Sequence, residues 1–236
     1  MIMDPIYWLI ILVFMILSSI VGAILRKKFE EFSEVPVPYN LTGAEVAQLM
    51  LKANGINDVK IVQGAGYLTD HYNPLTKTIT LSEPVYGESN IAAAAVAAHE
   101  TGHAIQHARK YPWLYMRSAL VPVLNVASSL MQIIFIAALF FGLTQKSLEI
   151  ALGIIVGTYG LFMLFSLITL PVEIDASRRA LKWLEGSNIA RGETYEKART
   201  ALKWAAYTYV IAFMASLAQF LYWLMIFISA RNRDRS

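Results

Sequence analysis

The sequence predicts a predominantly α-helical membrane protein, with four transmembrane helices and a smaller α+β part formed by two polar segments. Apolar residues make up 56% of the 236 residues and charged residues only 16%, against roughly 45–50% and about 25% in soluble domains. The apolar surplus lies in four long blocks that alternate with the polar segments. This composition excludes a freely soluble enzyme and a disordered chain. The net charge of +3 is too small to indicate a nucleic-acid partner.

Each apolar block has 21–24 residues, the length that crosses the hydrocarbon core of a bilayer. The blocks are residues 5–25, 120–143, 148–170 and 206–229. Glu149 is the charged residue they contain, and it lies beside the start of the third block. We expect four transmembrane helices. We do not expect the first block to be a cleaved signal peptide, because basic residues 26–28 follow it where a small-residue cleavage site would stand.

The distribution of Lys and Arg predicts the orientation in the membrane. Segment 26–119 holds nine of the 20 basic residues and segment 171–205 holds seven. We therefore expect the N-terminus outside and both polar segments in the cytoplasm, although Arg231, Arg233 and Arg235 of the tail oppose this orientation. Two spans separate the polar segments, so in either orientation the segments share one side and can form a joint site.

The first polar segment begins with a predicted helix over 43–54. Thr42 and Glu45 have capping-box spacing, and Gly55 is the predicted stop. Residues 59–63 and 76–82 have strand composition, and the stretch between them can supply a third short strand.

A second helix is predicted from about residue 90 to 109. The run is rich in Ala, Ser89 or Asn90 can cap it, and Pro112 follows its end. In the second polar segment we expect helices over 172–185 and 193–205, the latter running directly into the last span.

The helix over 90–109 carries the motif His99-Glu100-Thr101-Gly102-His103, which has the form HExxH. Residues i and i+4 project from the same face of a helix, so two imidazoles can bind one zinc ion. Glu100 then lies beside the bound water and can accept its proton. The chain has no Cys, so other ligands must be His, Asp or Glu.

A catalytic zinc ion has three protein ligands and an open position. His107 continues the i+4 series, but on a straight helix it stands about 12 Å from His99, so the three histidines cannot share one ion. Glu173 and Asp175 lie close to the predicted membrane edge, where acidic residues are costly unless they are paired or bind metal. Both are candidates for the third ligand, and an ion pair with Arg178 or Arg179 is the alternative.

Three segments carry a resemblance to a known family: GYLTDHYNPLTKTITLSEPVY, HETGHAIQHA and LPVEIDASRRAL. Together with the span pattern they resemble the YugP-type neutral zinc metallopeptidases of bacterial membranes, over most of the chain. More distantly the chain is similar to HtpX-type membrane proteases, in which a downstream segment E-x-x-A-D-x-x-A supplies a glutamate. The resemblance implies a zincin-like α+β catalytic part, with Glu173 as the third zinc ligand.

Ser177 departs from the pattern of the wider group, which has Asp at that position. The departure leaves open which group orients the ligating His. Asp175 is not an obvious substitute, since it lies about 200° round the helix from Glu173, and pairing with an arginine is the alternative for it.

By the same resemblance, residues 76–82 are expected to form an edge strand beside which an extended substrate lies, held by backbone pairing. A protease also needs a donor for the oxyanion of the tetrahedral intermediate. His71, Tyr72, Arg178 and Arg179 are the candidates, and we expect His71.

These observations predict a membrane zinc endopeptidase of the bacterial plasma membrane, with its active site on the cytoplasmic side and a membrane polypeptide as substrate. His99, His103 and Glu173 would bind one Zn²⁺, and Glu100 would act as general base and acid. A non-catalytic zinc scaffold is one alternative, although such a scaffold has no use for Glu100. A metal transporter is disfavoured because the spans are almost free of ionisable residues. Hydrolysis of a lipid-like substrate stays open.

Overall fold

The computed structural model describes residues 4–142 and 144–233. The helices are α1 (Pro5–Ser33), α2 (Gly43–Ala53), α3 (Glu83–Gly87), α4 (Ile91–Ala108), α5 (Pro112–Phe141), α6 (Gln145–Gly186) and α7 (Glu193–Arg233), with a 3₁₀ turn at Pro38–Asn40. The strands are β1 (Lys60–Gly64), β2 (His71–Asn73) and β3 (Thr78–Ser82). The chain is mostly helical with a small sheet, as the sequence predicts.

The described residues form two compact units. The first lies within Met1–Ser19, Met116–Thr169 and Tyr209–Ser236, and the second comprises Ile20–Tyr115 and Leu170–Thr208. Among the described residues, four helices are by length and composition able to cross a membrane, namely Pro5–Ser33, Pro112–Phe140, Lys146–Gly186 and Glu193–Asn232. These helices contain the predicted blocks 5–25, 148–170 and 206–229 and residues 120–140 of the second block. Residue 143 of that block lies outside the described residues.

The third and fourth of these helices extend well beyond the apolar blocks. The helix predicted over 172–185 is continuous with the preceding block in α6, which passes through Pro171 without ending. A proline removes one backbone donor but does not by itself end a helix that packs along its length. The helix predicted over 193–205 is likewise the first part of α7, as expected.

The second unit contains a three-stranded sheet with the order β1-β3-β2. β1 pairs with β3 in parallel and β2 pairs with β3 antiparallel. The prediction of an edge strand over residues 76–82 is therefore wrong, because β3 is the central strand and both of its backbone edges are occupied. Its alternate residues Ile79 and Leu81 are fully buried, which is the burial that a central strand over a packed core requires.

Side-chain caps fix the starts of the two helices around this sheet. Thr42 Oγ1 accepts a hydrogen bond from Glu45 N, and Glu45 Oε2 accepts one from Thr42 N, which completes the predicted capping box of α2. Asn90 Oδ1 accepts from Ala93 N at the start of α4. Both helix starts agree with the sequence prediction to within one residue.

The small side chains of α4 allow its neighbours to pack closely. Most of its alanines are fully buried, and a Cβ at Gly102 would stand 2.7 Å from the carbonyl oxygen of Ala176 on α6. The backbones of α4 and α6 therefore touch at Gly102, at the level of the HExxH motif.

Candidate metal centre

Three side chains from α4 and α6 converge in the second unit. His99 and His103 come from α4 and Glu173 comes from α6, and each offers one ligand atom within 4.8 Å of the others. Nε2 of His99 lies 3.2 Å from Oε2 of Glu173, and Nε2 of His103 lies 3.5 Å from the same oxygen. Glu173 is only 2% exposed. These three residues could hold one metal ion.

The contact between Gly102 and Ala176 explains why these side chains meet. Gly102 lies between the two histidines on α4, and Ala176 lies one helical turn after Glu173 on α6. Close approach of the two backbones brings the carboxylate within reach of both imidazoles.

Gln106 fixes the orientation and the tautomer of His103. Its Nε2 donates to the carbonyl oxygen of Val172 at 2.8 Å and to Oδ2 of Asp175 at 2.9 Å. The amide oxygen Oε1 is thus the atom that lies 3.0 Å from Nδ1 of His103, and Nδ1 must donate to it. In a neutral imidazole the other nitrogen then carries a lone pair, so Nε2 is free to be a ligand.

Ser177 takes the corresponding position at the other histidine. Its Oγ lies 3.1 Å from Nδ1 of His99. The residue that stands where the wider group has Asp therefore contacts one of the two histidines of the motif. Hydrogen bonds of this kind to the second ring nitrogen are typical of histidines that bind metals.

The donor set fits a zinc ion. The Nε2 lone pair of His103 and the carboxylate of Glu173 face each other, and two electron-rich groups at this separation require a proton or a metal ion between them. Burial opposes the charged form of the His103 imidazole, but the hydrogen bond and charge of Glu173, with the charge of Glu100, raise its pKa above the ordinary value. The site thus attracts positive charge, and two histidines and one carboxylate are common zinc ligands.

Asp175 contacts the centre through Gln106 and not as a ligand. Its Oδ2 also accepts from Nε of Arg179 at 2.6 Å, so the pairing with an arginine is confirmed. Arg179 in turn lies over the ring of Tyr111, 5.9 Å from its centroid. The result is a chain of contacts from His103 through Gln106 and Asp175 to Arg179.

Glu100 follows His99 directly on α4 and is 8% exposed.

His107 stands apart from the three candidate ligands, since its Nδ1 lies 2.8 Å from the hydroxyl of Tyr72. Burial, with the charges of Asp58 and Tyr115, raises the pKa of that Tyr72 hydroxyl to about 12.

His71, the expected oxyanion donor, is exposed on β2, and its Nδ1 lies 2.8 Å from the carbonyl oxygen of Thr69. Arg178 is exposed on α6. Their roles toward an oxyanion stay predictions.

Gln106 is the residue of this centre that the sequence analysis missed. It follows His103 by three residues on the same helix, and side chains at this spacing are neighbours. That spacing was the available signal, because an amide three residues after a ligating histidine can reach its second ring nitrogen.

Two comparisons with known proteins agree with this centre. Residues 7–228 match the family described as "Putative neutral zinc metallopeptidase". The chain is 39% identical over 209 residues to a Bacillus subtilis (strain 168) protein named "Putative membrane protease YugP", an alignment that covers 89% of this chain and 91% of the relative. No solved structure matches the chain.

Proposed function

This chain belongs to the neutral zinc metallopeptidase family, and we propose that it is a membrane zinc endopeptidase that hydrolyses peptide bonds of membrane or membrane-associated proteins. The observation that carries the proposal is the convergence of His99, His103 and Glu173 on one point, within 4.8 Å of one another, beside the buried Glu100. In this proposal the second unit serves as a zincin-like catalytic part.

His99, His103 and Glu173 would hold the ion, and Ser177 and Gln106 would keep the two imidazoles in the binding orientation. A bound zinc ion supplies Lewis-acid chemistry, lowering the pKa of a water molecule towards about 7. Glu100 accepts the proton of the attacking water and returns it to the leaving amine. His71 stays our candidate for stabilising the oxyanion.

The proposed location is the cytoplasmic side of a bacterial plasma membrane. It is supported by the nine and seven basic residues in the two polar segments, because Lys and Arg are enriched in cytoplasmic loops.

The test compares wild-type protein with Glu100→Gln, which keeps the size of the side chain and removes the base. We expect the variant to bind zinc and to lose cleavage. The measurements are the zinc content of the purified protein and the membrane proteome of cells that carry each form. Fragments should vanish and full-length proteins should accumulate in the variant. Glu88→Gln, an exposed residue of the same unit, is the matched control and should behave as wild type.

The same experiment separates the proposal from a non-catalytic zinc scaffold. Identical proteomes for wild type and Glu100→Gln, with zinc bound in both, would show that the centre is not a protease site. A buried carboxylate one residue after a ligand favours catalysis, since a purely structural site gains nothing from it.

A further inference from the structure

A groove lies between α6 and α7 in the second unit, next to the candidate metal centre. Its volume is about 520 Å³, which is within the range of about 300–1,000 Å³ typical of ligand sites. Ser177 lines the groove, and the Oγ of the same residue lies 3.1 Å from Nδ1 of His99. A single side chain therefore separates this groove from a ligand of the centre.

Each wall of the groove is one continuous helix face. The lining residues are 174, 177, 178, 181, 182 and 185 on α6, and 195, 199, 202, 203 and 206 on α7. Both sets follow the three- and four-residue spacing of one helical stripe. At 1.5 Å per residue the α6 wall is about 16 Å long, which matches about five residues of extended polypeptide.

The rim of the groove is strongly cationic. Arg178, Lys182, Arg199 and Lys203 line it, against Glu185 as the acidic residue of the lining. Arg199 pairs with Glu196 at 3.2 Å, whereas within residues 4–142 and 144–233 neither Arg178 nor Lys182 forms a salt bridge. Clefts lined by one sign of charge attract ligands of the opposite sign.

The floor of the groove is apolar. Leu202 is buried, Leu181 and Tyr195 are half-buried, and Ile174 is 48% exposed. An apolar floor below a cationic rim suits an extended peptide that carries apolar and acidic side chains.

We propose that this groove binds an acidic segment of the polypeptide substrate, within about five residues of the scissile bond. The inference rests on the proposed peptidase function and names the class of substrate for the same centre. A peptide is favoured over an anionic lipid headgroup because the groove adjoins a metal centre of a peptidase family.

The test uses the full-length, zinc-loaded protein and a peptide library prepared from a bacterial proteome, with the cleaved bonds read by mass spectrometry. Wild type is compared with the charge reversal Lys182→Glu/Lys203→Glu. The matched control is Lys52→Glu/Lys60→Glu, which makes the same change of net charge at exposed positions outside the groove.

We expect wild type and the control to cut preferentially beside Asp and Glu, within five residues of the bond. The groove variant should lose this preference, and its cleavage of acidic peptides should fall about tenfold, because two attractive ion pairs become repulsive. Cleavage of peptides that carry Lys at those positions should rise. An absent preference in wild type, or the same preference in the groove variant, would overturn the proposal.

A second measurement separates this inference from the proposed function. If wild type cuts no peptide, the peptidase proposal fails, and the groove is then judged by binding of hexaglutamate and hexaglutamine peptides to Glu100→Gln. Tighter binding of hexaglutamate that is lost on adding Lys182→Glu/Lys203→Glu supports the groove, and equal binding of both peptides overturns it.

A third measurement addresses lipid. If the groove variant loses binding of short-chain, water-soluble phosphatidylglycerol and keeps the peptide preference of wild type, the groove is a headgroup site and the proposal is wrong.

Discussion

At the residue scale, Gln106 links the candidate metal ligand His103 to Asp175. It is fully buried, contacts His103 through its oxygen and holds Asp175 through its nitrogen. We expect Gln106→Leu to weaken zinc binding about 10–100-fold, the usual effect of removing a group that orients a metal ligand. Zinc competition with a chelator measures this. Gln48→Leu, at an exposed position on α2, is the control.

Variants of Asp175 test whether its hydrogen bond with Gln106 contributes to zinc binding. Asp175→Ala removes one of the two acceptors that orient the Gln106 amide, the other being the Val172 carbonyl, and should lower zinc affinity, although Asp175 is not a ligand. Asp175→Asn retains an oxygen for Gln106 and should stay within a few-fold of wild type. Equal zinc affinity in Asp175→Ala and wild type would contradict the role given to this contact.

Zinc affinity should also fall as the pH is lowered. Glu173 and Glu100 raise the pKa of His103 in the metal-free protein despite its burial, and a protonated imidazole cannot bind zinc. The proton therefore begins to compete at a pH above the ordinary histidine value of about 6.5. Isothermal titration with zinc between pH 5.5 and 8 checks this, and a pH-independent affinity would contradict it.

The candidate metal ligands could largely be predicted from the sequence, whereas the residues that orient them could not. His99 and His103 follow from spacing within one helix, and Glu173 followed from the resemblance. The roles of Ser177 and Gln106 depend on which residues face each other across α4 and α6, which no local pattern in the sequence specifies.

At the element scale, the closeness of α4 and α6 depends on Gly102. A Cβ there would meet the backbone of Ala176 at 2.7 Å, so Gly102→Ala must push the helices apart and carry Glu173 away from the histidines. We expect a loss of stability of about 1–3 kcal/mol and a marked loss of zinc binding. Gly87→Ala, where a Cβ meets nothing within 4 Å, is the control in zinc titration and thermal unfolding.

Helix boundaries could be predicted from the sequence, whereas the order of the strands could not. Caps and apolar periodicity place α2 and α4 to within one residue, because both signals are local. The order of the strands is not local. Residues 76–82 carry the composition of a strand wherever it lies in the sheet, and β3 is central because β1 and β2 pair with its two edges.

At the scale of the whole molecule, one hydrogen bond in the first unit joins the start of α1 to the C-terminal part of α7. The hydroxyl of Tyr222, near the end of α7, donates to Oδ2 of Asp4, just before α1, at 2.8 Å. The start of α1 therefore lies beside the C-terminal part of α7, which agrees with an even number of spans. The two termini are expected on the same side of the membrane.

Reporters fused before Met1 and after Ser236 test the topology. We expect both to behave as extracytoplasmic, because the basic residues are concentrated in the two polar segments. Two cytoplasmic reporters would reverse the orientation and leave the four spans intact. Reporters on opposite sides would contradict the number of spans.

The central claim is that one metal ion is held by two residues of α4 and one of α6. The most direct test is the zinc content of purified wild type, Glu100→Gln and Glu173→Gln after dialysis against a weak chelator. We predict about one zinc ion per chain for wild type and Glu100→Gln, and far less for Glu173→Gln. A full equivalent of zinc in Glu173→Gln would show that the third ligand lies elsewhere and would contradict the account.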